Sequence, residues 1–187
     1  MSISEIPLST IRPLTLTWQL VRGTGWSSRG IGRSGMGYYS HIDTVTPGGL
    51  LRGAFSVPMV RTFPDGVRRE IPAGVEDRPH YHSHWSACTR FTRTVTPAQY
   101  DAYWKFSDAQ LHKPYDSRGL ISTFIFGREW RDVDSWWCSE LVAACGEAAL
   151  LWVIPPEVTA VEPGHCAFMF AGPEYTRTEM APMPGLL

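Results

Sequence analysis

The sequence predicts a fold of mixed α and β elements, with strands in the first half and a helix that opens at Cys138 in the second. Three observations lead there. The first half of the chain holds short β-type runs, beginning with the alternating residues 14–21. Residues 39–57 read as two such runs folded back at Thr46-Pro47-Gly48-Gly49, a turn by composition. In the second half, Trp137, Leu141, Val142, Cys145 and Ala149 recur at helical spacing, with one face turned to a core.

Taken in order, residues 1–13 form a polar lead-in closed by Pro13. Leu14 to Val21 alternates as a half-buried strand does. Trp26 to Arg33 has room for a short helix, weakened by Gly30 and Gly32. Tyr39 to Val45 and Leu50 to Val57 make the hairpin, and alternation puts His41, Asp43 and Val45 on one face of its first strand. Phe63-Pro64-Asp65-Gly66 is a second tight turn leading into a short strand at Val67–Ile71. Residues 72–84, rich in Gly, Pro and His, read as irregular, and Trp85 to Val95 as a strand with poor alternation. Thr96-Pro97-Ala98-Gln99 has the N-cap, the first-turn proline and the capping-box glutamine of a helix that runs to about His112. Leu120 to Phe126 is apolar and suits helix or strand. Asp134 and Ser135 offer capping oxygens to the Cys138 helix, which Pro155-Pro156 ends. Cys166 to Phe170 reads as a last strand, and residues 172–187 as a flexible polar tail. Residues 14–171 then form a single domain, with no internal repeat.

Composition narrows the function classes. The 187 residues are 43% hydrophobic and 12% aromatic, enough for a substantial core. Seventeen basic residues nearly balance eighteen acidic ones with no charged block, so nucleic acid is not an expected partner. No stretch approaches the roughly 18 apolar residues that cross a bilayer, so no transmembrane segment is expected. The N-terminus lacks the basic and apolar regions of a secretory signal, which predicts a cytoplasmic protein unless another route carries it out. The four cysteines, at 88, 138, 145 and 166, match no zinc or redox spacing and are expected as free thiols.

Cys138 carries the strongest chemical signal. A thiol in the first helical turn ionises more readily than a free one, and the thiolate is the nucleophile. The plain alternative is a small buried apolar residue. A nucleophile also needs a base, and His41, with Asp43 on the same face, is the best placed of six histidines; read alone, it is equally an edge-strand histidine without a task. Glu140 points away from the thiol and suits a hydrogen bond near the helix start. His80, His82 and His84 would share a direction in an extended chain, and two at that spacing can bind zinc. The third lies about 13 Å from the first, too far to share one ion without a bend. An exposed loop is the default there, and neither a metal nor another cofactor is expected.

Tyr39-Ser40-His41-Ile42-Asp43, then Lys113-Pro114-Tyr115-Asp116, then Trp136-Trp137-Cys138-Ser139-Glu140-Leu141-Val142 together resemble the circularly permuted papain-like hydrolases of the NlpC/P60 superfamily. The likeness is to the YiiX/YaeF-like group, and most of all to small phage and prophage members. In that group the histidine strand precedes the cysteine helix, as it does here. The resemblance spans roughly residues 14–152 and implies a papain-like α+β fold, with an antiparallel sheet that carries His41 packed against the Cys138 helix. It implies Cys138 as nucleophile and His41 as base. Many members carry a third, acidic residue on the strand after the histidine. Leu51-Arg52-Gly53-Ala54 offers no acid there, while phage-like members often carry an acid two residues after the histidine, and this resemblance implies Asp43 as the candidate third member. Ser40, Tyr115, Trp137 and Ser139 fall in the substrate and oxyanion vicinity. The implied activity is a covalent thiol hydrolase of amidase or peptidase type, with a cell-wall peptide as one substrate and association with a phage particle as one setting. A thioesterase or acyl-lipid hydrolase, and a non-catalytic phage module that keeps the fold, are the alternatives.

Overall fold

Alternation along the central strands sets which residues meet the helices and which meet the site. The computed structural model describes residues 13–23, 38–79, 85–116, 134–158 and 160–181. Its strands are β1 (Thr15–Gly23), β2 (His41–Val45), β3 (Leu51–Phe55), β4 (Met59–Thr62), β5 (Arg68–Ile71), β6 (Gly74–Arg78), β7 (Trp85–Thr94) and β8 (Tyr175–Met180). Its helices are α1 (Pro97–Asp108), α2 (Cys138–Ala148) and α3 (Pro163–Met169). Six strands form one antiparallel sheet in the order β6-β3-β2-β1-β7-β8, while β4 and β5 pair separately. The described residues are therefore mixed α+β and mainly antiparallel.

Leu16, Trp18 and Leu20 of β1, Ile42 of β2, Ala54 of β3, Val75 of β6 and Phe91 of β7 line the face that packs with the helices. Trp18 centres that core. Its ring stacks on Phe170 at 4.9 Å, and its Nε1–H donates to the Tyr103 hydroxyl at 2.9 Å. That hydroxyl also meets Thr44 Oγ1 at 2.7 Å, which ties α1 to β2. The buried indole thus brings hydrophobic area and a satisfied donor together.

Helix α1 starts as the sequence predicts. Thr96 caps it, Gln99 completes the capping box and Pro97 takes the first position. It ends at Asp108 with Ala109 as its C-cap, rather than running to His112, which lies in the following turn at a positive φ of 66°. The expected hairpin is present as β2 and β3. Three expectations are corrected. Within residues 72–84, Gly74–Arg78 is a strand whose charged residues hid its alternation. Cys166 to Phe170, expected as a last strand, instead falls in and at the end of α3, a seven-residue helix with Glu162 as its N-cap and Pro163 at its start, too short for its period to show. Tyr175–Met180, expected in the tail, pairs with β7 as a polar, exposed edge strand. The helix expected at 26–33 and the apolar run at 120–126 lie outside the described residues, as does most of the lead-in.

β2 pairs with β3 at Val45↔Leu51 and Thr44↔Arg52, whereas β3 pairs with β6 along its whole length. Thr46 N–H donates to Leu50 O in the turn. In that register the next ladder N–H toward β3 beyond Thr44 belongs to Ile42. The paired stretch stops short of it, and α2 packs against both strands there.

Candidate active site

The opening between β2 and β3 receives the start of α2. Trp137, rather than the expected Asp134 or Ser135, is the N-cap residue, and its own side chain makes no cap hydrogen bond. The His41 ring and the Ile42 backbone N–H both lie close enough to the Cys138 thiol to favour its ionised form. The Ile42 N–H lies beyond the paired stretch of β2 and β3 and is available to the sulfur.

His41 Nε2 lies 2.9 Å from Asp43 Oδ1, which leaves Nδ1 as the ring nitrogen for the thiol. The same Oδ1 lies 3.1 Å from Arg78 Nη2. Asp43 and Arg78 are both fully buried, and the Arg78 guanidinium sits 3.9 Å over the Phe55 ring. Gly53, across the sheet from Asp43, completes the arrangement. A Cβ there would fall 2.0 Å from Asp43 Oδ1, so the carboxylate from β2 fills the space that a side chain on β3 would take. The strand that lacks an acid in sequence has one beside it in space.

The electrostatics follow. Burial opposes charge on His41, but the charges of Asp43 and Cys138 outweigh it, and the imidazole is pushed up to about 10. Burial likewise opposes the Cys138 thiolate, but the His41 charge and hydrogen bond and the Ile42 N–H prevail, so the thiol falls below its ordinary value. Both shifts favour a thiolate beside an imidazolium. The other three cysteines behave oppositely. Burial raises Cys88 to about 11 and Cys145 to about 12, and raises Cys166 further. All four are free and buried.

The remaining expected site residues divide. Tyr115 bridges to Trp136, and burial together with the charges of Cys138 and Glu140 keeps its phenol protonated. Trp137 borders the sulfur in sequence and is buried. The Ser139 hydroxyl is spent on the Val161 carbonyl, which anchors α2 to the segment before α3. The Ser40 hydroxyl accepts from Gly23 N–H and donates to Val21 O, holding β1 to the start of β2. Neither serine side chain is free to meet a substrate. His80, His82 and His84 lie outside the described residues. Among the described residues no group of three or more His, Cys, Asp or Glu side chains could hold a metal ion.

Sequence reasoning missed Arg78, Gly53 and the Ile42 N–H. Arg78 ends the run Glu76-Asp77-Arg78 in a segment read as irregular, and a strand charged on both faces gives no apolar alternation to find. Gly53 was visible only as a missing acid.

No family model matches the chain, and no curated protein matches it. Among solved structures, the crystal structure of the metalloprotein yiiX from Escherichia coli O157:H7 is similar, with a TM-score of 0.57 and 17% identity over 92% of this chain and 99% of that one. That neighbour bears the name of the group that the sequence motifs resemble. The likeness extends over nearly all of both chains and shows a shared fold.

Proposed function

We propose that the chain is a thiol hydrolase of amidase or peptidase type, with Cys138 as nucleophile, His41 as base and acid, and Asp43 as the residue that orients His41. The proposal includes a permuted papain-like reading of the fold, supported by the order of histidine strand and cysteine helix and by the likeness to yiiX. One observation carries it: Cys138, the first residue of a helix, lies beside an imidazole that favours its thiolate and whose Nε2 is 2.9 Å from a buried carboxylate. Nucleophile, base and orienting group thus stand in the sequence that nucleophilic catalysis requires.

In the reaction, the thiolate attacks the carbonyl carbon of an amide, and the electron pair of the carbonyl moves to oxygen. The backbone N–H of Cys138 donates to that oxyanion. The His41 imidazolium gives its proton to the leaving nitrogen as the C–N bond breaks. His41 then takes a proton from water, whose oxygen attacks the thioester, and the acid product leaves as the thiolate re-forms. A cell-wall peptide is the substrate class that the family resemblance favours. A specific observation favours a second reading, the non-catalytic module: Cys138 is only 7% exposed.

Alkylation separates the two. Carbamidomethylation of Cys138, followed by peptide mass, is expected at pH 6.5 to run at least about tenfold faster than that of a free cysteine. His41→Ala is expected to remove that advantage. A Cys138 no faster than a free thiol would end the hydrolase reading and leave the binding module.

A further inference from the structure

We propose that Arg78 is the counter-charge of the site: a positioning residue that lets Cys138 rest as a thiolate while Asp43 holds His41. The inference rests on the thiol hydrolase reading and adds a residue to it. Thiolate, imidazolium and carboxylate together carry one net negative charge. Arg78 brings the group to zero, and it does so without exposure, since its side chain and that of Asp43 are both 0% exposed. An uncompensated charge in such a place is costly, and the cheapest relief is to take up a proton. The thiolate is the group that would take it.

The surroundings of Arg78 fit this role better than that of a fastener. Asp43 Oδ1 is 3.1 Å from Nη2, while Nε and Nη1 are buried with no hydrogen-bond partner among the described residues. The flat face of the guanidinium rests on Phe55. An arginine kept for its hydrogen bonds would not leave two donors unused, whereas one kept for its charge can. Of the other ionisable groups near the cluster, three add no charge to it. The Cys88 and Cys166 thiols and the Tyr115 phenol are held protonated by burial. Asp77 is already taken by Arg52, at 2.7 and 2.9 Å. Glu140 is common to every variant compared below and drops out of the comparison.

The test is the pH at which Cys138 alkylation by iodoacetamide falls to half its plateau, measured on the full chain by peptide mass. Arg78→Met is expected to move that acid limb upward by about one pH unit or more, the size of an opposite charge removed at short range. Asp43→Asn is expected to move it downward. The double variant Asp43→Asn/Arg78→Met restores neutrality, and its limb is expected to return toward the wild-type position. Arg78→Lys keeps the charge and is expected to keep the limb. Should Arg78→Met alone not fold, Asp43→Asn against the double variant reads the same charge, and the limb is expected to rise between them. A limb that Arg78→Met leaves in place in either background overturns the counter-charge while the hydrolase reading stands. A wild-type limb in the range of free cysteine overturns both.

Discussion

Arg52 and Arg78 stand on opposite faces of one sheet, on the neighbouring strands β3 and β6, and they meet carboxylates in opposite ways. Arg52 faces the helices. It reaches Asp77 with two nitrogens, at 2.7 and 2.9 Å, and Asp108 and Ser107 of α1 with a third. Its partners are partly in solvent, with Asp77 30% and Asp108 62% exposed. Arg78 faces the site, is wholly buried and shares one carboxylate oxygen with His41. The first spends its fork on geometry and ties α1 to the sheet. The second supplies charge where no water can. The helix-side face is thus built for cohesion and the other for holding ionised groups, and substitutions on the two faces should separate stability from thiol chemistry.

The largest effect is expected on the helix side. Trp18 is fully buried and its ring meets Tyr103, Trp152, Phe170 and Tyr175. Trp18→Ala should cost about 3–5 kcal/mol in denaturant unfolding, through lost burial and a cavity that rigid neighbours cannot close. It also strands the Tyr103 hydroxyl at one partner, Thr44. The protein that remains folded should keep the wild-type acid limb of Cys138 alkylation. A moved limb would mean that the two faces are not separable.

On the site side the expected effect is smaller in stability and plain in chemistry. Gly53→Ala puts a methyl group 2.0 Å from Asp43 Oδ1. Asp43 is short and pinned between His41 and Arg78, so it cannot swing clear without losing one of them. Overpacking of this kind costs about 1–3 kcal/mol. Because the charge of Asp43 raises the His41 imidazole to about 10, displacing it should lower the alkaline limit of activity. Below that limit His41 is an imidazolium able to protonate a leaving nitrogen; above it the proton is gone. An unchanged alkaline limb, at intact fold, would show that Asp43 does not govern His41.

This contrast also explains what could be read from the sequence. The hairpin, the capping box at Thr96 and the shared face of His41 and Asp43 are local, and each was legible because turn chemistry and alternation act over a few residues. The first-turn position of Cys138 was legible for the same reason. What escaped depends on partners distant in sequence. β6 looks irregular until β3 pairs with it, since Glu76, Asp77 and Arg78 mask its period. β8 is polar along its length because an edge strand over solvent has little to bury. The counter-charge at Arg78 is visible only when β6 lies beside β3 and Gly53 leaves the space between them open to Asp43.

The smallest effect sharpens the comparison most, because it changes the same residue type on the other face. Arg52→Gln removes a charged fork whose partners can turn to water. Asp108 is on the last turn of α1 and Asp77 is reached by solvent, so neither is stranded as a buried anion. The loss should be about 1–2 kcal/mol, that of charge-assisted bonds near a surface, and it should shrink in high salt. Cys138 alkylation should keep its acid limb, since Arg52 serves α1 and not the thiolate. Arg78→Met should do the reverse and move the limb in any salt, because its charge is shielded from ions by protein on every side. If Arg52→Gln shifts the limb as far as Arg78→Met does, the effect is a general loss of positive charge from the sheet, and the assignment of distinct work to its two faces fails.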